Sequence, residues 1–276
     1  MFIYIRRLVV KVEISFMKSK LIKILLILCF LITITFILSP ILILFVTYIK
    51  RGIQEVNNPL VIDAIKVSFK STSISLIIII ILGIPSAYIL ARENFYGKKI
   101  IDTLLELPLV LPPAVSGLLL LITFGRNGYI GKELYKFGVK LPFTFWAVVV
   151  AQIFVALPLF IKTVKSGILK VDRDLELAAA TLGDKPWQVF MRITLPLSYV
   201  SIITGGILAW ARALAEFGAT IMFAGNLMGR TQTLPLAIYS AMEKGTDLSL
   251  SIAVILVFLS LLVLFIVKFG FKKYMT

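Results

Sequence analysis

Histidine is missing from this chain of 276 residues, and cysteine occurs once, as Cys29. Without histidine there is no Ser-His-Asp catalysis, no Cys-His catalysis and no imidazole-ligated metal. One cysteine forbids an intrachain disulfide and gives a thiolate metal site no second sulfur. Acidic residues are also scarce, 14 against 29 Lys and Arg, for a net charge of +15. A phosphate-binding loop is absent. The nearest approach, Gly125 to Lys132, has the wrong spacing, and Glu133 stands where Ser or Thr is required. If ATP powers this protein, another subunit binds it. No catalytic residue, no metal ligand and no cofactor of its own is assigned to the chain.

What is abundant is apolar. Hydrophobic residues make up 59 % of the sequence and charged residues 16 %, and mean hydropathy is +1.01. A soluble domain lies nearer 45–50 % apolar and about 25 % charged. A water-soluble fold of this size could not hide that excess, so the solvent is mostly lipid. The positive charge follows from this. Lys and Arg flank apolar runs, as they do in cytoplasmic membrane loops, and no nucleic-acid motif accompanies them.

A membrane-spanning helix needs roughly 20 apolar residues. Six candidates occur, at about 24–49, 71–91, 105–124, 143–161, 197–223 and 247–267. The expectation is an all-α integral membrane protein of six transmembrane helices. Pro40 lies in the first, and Gly83 and Pro85 predict a kink in the second. The third opens with Leu107-Pro108-Leu109-Val110-Leu111-Pro112-Pro113. Three prolines cannot sit in a regular helix interior, so this span is predicted to be broken or re-entrant. The chain divides into a basic segment with the first helix (1–59), a membrane core (60–268) and a tail (269–276). The first 20 residues are basic with a short apolar piece and no small-residue cleavage site, and read as retained. Met17 offers a second start, which leaves 1–16 as an extension or an interfacial helix.

Orientation follows the Lys and Arg bias. With the N-terminus inside, inner segments hold 18 of them and outer segments 10. Both termini are expected in the cytoplasm, in a multi-pass protein of the cell (inner) membrane.

The inner segment 162–196 is far longer than a turn requires, and it carries helix punctuation. Asp172 or Asp174 can cap a helix that Leu175 to Leu182 propagates and Gly183 stops. Asp184 and Pro186 can start a second, through about Ile193. Periodicity alone also allows an amphipathic helix lying on lipid. The spacing Ala178-Ala179, Gly183, Ile193, Leu195, Pro196 resembles the cytoplasmic "EAA" loop of ABC importer permeases. Leu177 occupies the family's Glu position, with Glu176 one place earlier. The resemblance extends to Ala211–Thr220 (ARALAEFGAT), Ala224-Gly225-Asn226, Gly229–Tyr239 (GRTQTLPLAIY) and Phe124–Gly128 (FGRNG). These are similar to the molybdate/tungstate permease branch, and the match covers about residues 60–268.

The resemblance implies a type-I ABC importer permease fold with a cytoplasmic coupling helix. It implies a permease homodimer, two ATP-binding cassette subunits that carry ATP and Mg, and an extracellular or periplasmic oxyanion-binding protein. Coupling to the ATPase would fall to Glu176, Ala178, Ala179, Gly183, Ile193, Leu195 and Pro196. Arg126, Asn127, Asn226 and Arg230 would meet the binding protein, on the outer segments 125–142 and 224–246.

Inside the fifth predicted span, Arg212, Glu216 and Thr220 are four residues apart and share one face of a continuous helix. Charges inside a span are functional candidates. One reading is a structural Arg–Glu pair that fixes helix register. The other is a translocation path or gate. Gly205, Ala209 and Ala213 form a second stripe suited to close packing. A tetrahedral dianion needs donors that can release it, and Ser116, Gly117 and Thr220 are the candidates.

The function these observations imply is the permease of an ATP-driven importer of molybdate or tungstate. A sulfate or thiosulfate permease is the alternative, since that branch shares much of the Glu216-Phe217-Gly218-Ala219-Thr220 region. An intramembrane enzyme would need a nucleophile, base or metal set that the spans lack. A secondary transporter would show inverted repeats and paired broken helices, and neither is evident in the sequence.

Overall fold

The computed structural model describes residues 20–270. The readings of residues 1–16 and of the tail beyond 270 lie outside them. Two units are distinguished, one ending at Arg51 and one beginning at Gly52. The first consists of most of α1 (Lys20–Glu55), an apolar helix with Pro40 in its interior. Everything below concerns the second unit.

α2 (Pro59–Arg92) opens on a cap that the sequence spells out. Asn58 accepts a hydrogen bond from Leu60 N at 3.1 Å, and Pro59 sits at the first helical position. The helix therefore begins twelve residues before the predicted apolar run. It runs unbroken through Gly83 and Pro85. The Ser86 hydroxyl bonds the Leu82 carbonyl at 2.7 Å beside the gap that proline leaves in the ladder. Gly83 is needed for another reason: a Cβ there would lie 2.3 Å from the Phe160 ring.

The third predicted span is broken, as the prolines required. α3 (Lys98–Val110) and α4 (Pro113–Phe124) meet at 115° across Leu111-Pro112. At about 1.5 Å per residue α4 is roughly 18 Å long, too short to cross the bilayer alone. A tight turn and α5 (Gly131–Lys136) lead to α6 (Phe145–Leu169). α6 is the most enclosed helix of the unit and packs on α2, α3, α4 and the later helices.

Two short helices follow, α7 (Arg173–Thr181) and α8 (Pro186–Leu197), the latter with a π turn over Phe190–Thr194. The chain bends 70° at Ser198 into α9 (Tyr199–Leu214). α10 (Gly218–Ala224), α11 (Leu234–Lys244) and α12 (Thr246–Gly270) complete it. Among the described residues of both units, four helices are long and apolar enough to cross a membrane, and up to six spans result if each bent pair is one span.

Lipid gives no hydrophobic drive for helix association, so close packing and hydrogen bonds hold the unit together. Ile79 and Ala87 of α2, Phe160 and Val164 of α6, and Ala209 and Ala213 of α9 form one core cluster. Gly205 admits that contact: its Cβ would sit 3.3 Å from Phe160 and Val164. The predicted small-residue stripe thus faces α6. Hydrogen bonds supplement it. Gln152 donates to Ser71 Oγ at 3.0 Å and accepts from Ser75 at 2.9 Å, all three buried. Ser68 Oγ accepts from Leu234 N at 2.8 Å, which ties α11 to α2.

Candidate translocation and coupling sites

The expected continuous fifth helix is not what the chain forms. α9 ends at Leu214, residues 215–217 break it, and α10 starts at Gly218. Arg212, Glu216 and Thr220 therefore occupy a helix, a break and a second helix, not one face. The break has a local cause. The Glu216 carboxylate accepts a hydrogen bond from Ala219 N at 2.8 Å, which caps α10. Gly218 lies so close to α4 that a Cβ would be 2.6 Å from Pro113 Cβ. A continuous α-helix would have spent Ala219 N on the carbonyl of Ala215.

The Arg–Glu pair nevertheless forms. Arg212 Nη1 stands 2.7 Å from Glu216 Oε2; the carboxylate side chain is 1 % exposed and the guanidinium 33 %. The contact is an ion pair without good hydrogen-bond alignment. Phe217 reaches to α11, its ring 5.4 Å from that of Tyr239.

α4 and α10 pack at the closest distance glycine allows. A Cβ on Gly117 would lie 2.7 Å from Ala219 O and 2.7 Å from Met222 Cβ. Ser116 and Thr220 are on these same two helices, fully buried, and neither hydroxyl has a hydrogen-bond partner. Of the predicted donors, Gly117 lies in the α4–α10 contact, Ser116 is its neighbour on α4, and Thr220 is on α10 two residues after the Glu216-capped start. Buried hydroxyls left unpaired cost free energy.

The second site lies at the C-terminal end of α2. Asp172 caps α7 by accepting from Asp174 N at 3.0 Å, which resolves the choice between the two aspartates. Gly183 follows the helix with φ +99°, the left-handed conformation its stop position calls for. Arg192 pairs with Asp184 at 2.7 Å.

Glu176 points inward. Arg92 Nε and Nη2 donate to its Oε1 at 3.2 and 3.0 Å, and the Thr194 hydroxyl donates at 2.6 Å. The same Nη2 bonds the Val171 carbonyl at 2.8 Å. One carboxylate thereby joins the end of α2, the start of α7 and the π turn of α8. Glu176 and Ala179 are buried; Ala178, Gly183 and Pro196 are exposed; Ile193 and Leu195 are half-buried. The outward apolar side chains are others: Leu177, Leu182, Trp187 and Met191, with Leu182 at 90 % exposure. Leucine at position 177, the departure from the EAA pattern, is part of this exposed face. No sequence signal singled out Arg92 or Thr194.

Of the four residues expected to meet a binding protein, Arg126, Asn127 and Arg230 are exposed. Asn226 is committed internally: its amide donates to Ser240 Oγ at 2.7 Å and accepts from Gln232 Nε2 at 2.9 Å. Asn226 is half-buried, and these bonds tie its loop to α11. Among the described residues, no group of three or more His, Cys, Asp or Glu could hold a metal.

Comparison with known proteins accords with this architecture. Residues 83–273 match the family described as binding-protein-dependent transport system inner membrane component. The chain is 46 % identical over 183 residues to the molybdenum transport system permease protein ModB of Haemophilus influenzae, covering 66 % of this chain and 80 % of that one. It is 36 % identical over 203 residues to the sulfate transport system permease protein CysW of Synechococcus elongatus, covering 73 % and 71 %. In fold it is similar to a chain of a bacterial ABC transporter involved in the import of the acidic polysaccharide alginate. There the TM-score is 0.75 at 14 % identity, covering 96 % of this chain and 100 % of that one. The expected type-I ABC importer permease fold is borne out, and the chain belongs to the family of binding-protein-dependent transport system inner membrane components.

Proposed function

We propose that this chain is the membrane-spanning permease of an ATP-driven ABC importer for molybdate or tungstate. The observation that carries the reading is the helical loop between α6 and α9. It turns Leu177, Leu182 and Trp187 outward while Arg92, Glu176 and Thr194 fasten it to the membrane helices. Such a loop is a lever with a free face. An ATPase subunit carrying ATP and Mg fits that face, and its movement would be passed to α2 and α9. Identity to a molybdenum permease is higher than to a sulfate permease, which supports molybdate as cargo.

In this reading two copies of the chain form the pathway, with the Arg212–Glu216 break and Ser116, Gly117 and Thr220 lining it. The coupling loop and both termini face the cytoplasm. The exposed Arg126-Asn127 turn and Arg230 face the oxyanion-binding protein. The chain itself carries out no chemistry. The test is anion discrimination. With the cognate binding protein, molybdate or tungstate is expected to raise hydrolysis by the assembled complex several-fold, and sulfate is not. Stimulation by sulfate alone would establish the sulfate permease instead.

A further inference from the structure

Lys66 and Lys70 lie one turn apart in the first turns of α2, both exposed. Like charges at this spacing repel. A third cation, Arg230, comes from the loop between α10 and α11. Together with Thr144, Phe145, Trp146 and Gly229 they line an open cleft of about 570 Å³. The opposite wall is the N-terminus of α6, whose dipole adds positive potential. Lys70 Nζ stands 5.3 Å from the centre of the Phe145 ring, which holds it at the cleft. Among the described residues no carboxylate pairs with Lys66, Lys70 or Arg230. The nearby acid is Asp63, beside Gly229.

Lys70 and Arg92 are separated by roughly 33 Å along the α2 axis. The cleft is therefore at the opposite membrane face from the coupling loop. Cations there run against the cytoplasmic bias of Lys and Arg, and three of the ten on outer segments converge on this one concavity.

We propose that this cleft is an anion-collecting site that takes a tetrahedral oxyanion on the side from which cargo arrives, ahead of the Arg212–Glu216 break. The inference rests on the proposed function and deepens it. A water molecule claims about 30 Å³ in the liquid, so the cleft holds a hydrated anion with room to spare. Capture is electrostatic, weak and readily reversed, as a release path requires, and it falls with ionic strength. A lipid phosphate has the same chemistry, and the experiment separates the two sources.

The permease–ATPase complex in phosphatidylcholine nanodiscs, without binding protein, is dialysed to equilibrium against radiolabelled molybdate. Saturable, salt-sensitive binding is expected. It should weaken at least about tenfold when Lys66, Lys70 and Arg230 are all changed to Gln, and return in Lys66→Arg/Lys70→Arg. All three side chains are exposed, so folded yield should match wild type. Unchanged binding in the triple variant, or none by the wild type, overturns the proposal. So does phosphatidylglycerol that co-purifies with wild type and not with the triple variant while molybdate fails to bind. Molybdate-stimulated hydrolysis by wild type with its binding protein is measured alongside. If that activity is present without cleft binding, only this inference falls. If hydrolysis answers to sulfate alone, the function is revised and the anion site stands.

Discussion

Arg92→Ala is expected to abolish transport-coupled ATP hydrolysis while leaving the membrane helices inserted. The Arg92 and Glu176 side chains are 10 % and 11 % exposed, at 3.0 Å. Removing one partner of a buried pair leaves the other uncompensated, at a cost of about 3–5 kcal/mol. Here the loss is wider than one contact. The Val171 carbonyl loses its donor, and the carboxylate that receives Thr194 loses its counter-charge. α7 and α8 are then no longer held to the end of α2, and a push on Leu182 or Trp187 moves the loop alone. Arg92→Lys keeps the charge but not the planar fork that serves Glu176 and Val171 together, so it should retain only part of the coupling. Glu176→Gln loses the charge but keeps an acceptor for Arg92 and Thr194, so its coupling should fall between wild type and Arg92→Ala, and its yield should exceed that of Arg92→Ala. The measurements are co-purification with the ATPase subunit and hydrolysis stimulated by loaded binding protein. Wild-type stimulation in Arg92→Ala would remove the clamp from the mechanism.

The second large effect is expected at the α9–α10 break. Glu216→Ala deletes two interactions, the pair with Arg212 and the cap on Ala219 N. Arg212→Ala deletes one, but strands a carboxylate that is 1 % exposed. Both should lower the yield of folded protein in detergent. The double alanine variant should recover part of it, because no uncompensated charge is left. It should not reach wild type, because the cap is gone, at about 1 kcal/mol. Arg212→Ala/Glu216→Gln restores an acceptor for Ala219 N and should yield more protein than the double alanine variant. Transport separates structure from pathway: a double variant that folds yet takes up anion poorly places the pair on the path. Full uptake would make it a fixture of helix geometry only. Strictly additive losses in yield would show that the two side chains serve different partners.

Much of this arrangement is legible from residue chemistry. Three prolines in seven residues dictate the broken third span, and the structure bends there by 115°. The Asp172, Gly183 and Pro186 punctuation of the coupling loop follows from the rules for helix ends, and each residue does its expected work. Hydropathy was less informative where charge or a tertiary contact intervenes. Asp63, Lys66 and Lys70 hid the first three turns of α2, although Asn58-Pro59 is a start signal. α11 lay unseen in a segment read as an outer loop, despite Pro235 near its first turn.

The break after Leu214 could not be read from spacing. Residues 197–223 have apolar content enough for one span, and the decision falls to the approach of Gly218 to Pro113 and to a glutamate that caps rather than continues. Four-residue spacing correctly paired Arg212 with Glu216 and wrongly extended the face to Thr220. The inward turn of Glu176 was equally hidden, since its partners Arg92 and Thr194 are 84 and 18 residues away.

Reconstituted uptake tests the central claim most directly. Proteoliposomes containing this chain and its ATPase subunit are loaded with ATP and Mg and given binding protein and radiolabelled molybdate outside. The account predicts that label accumulates inside, and that omitting ATP, the ATPase subunit or the binding protein stops it. Accumulation that persists without the ATPase and follows an imposed ion gradient would contradict it, and would make this chain a secondary transporter.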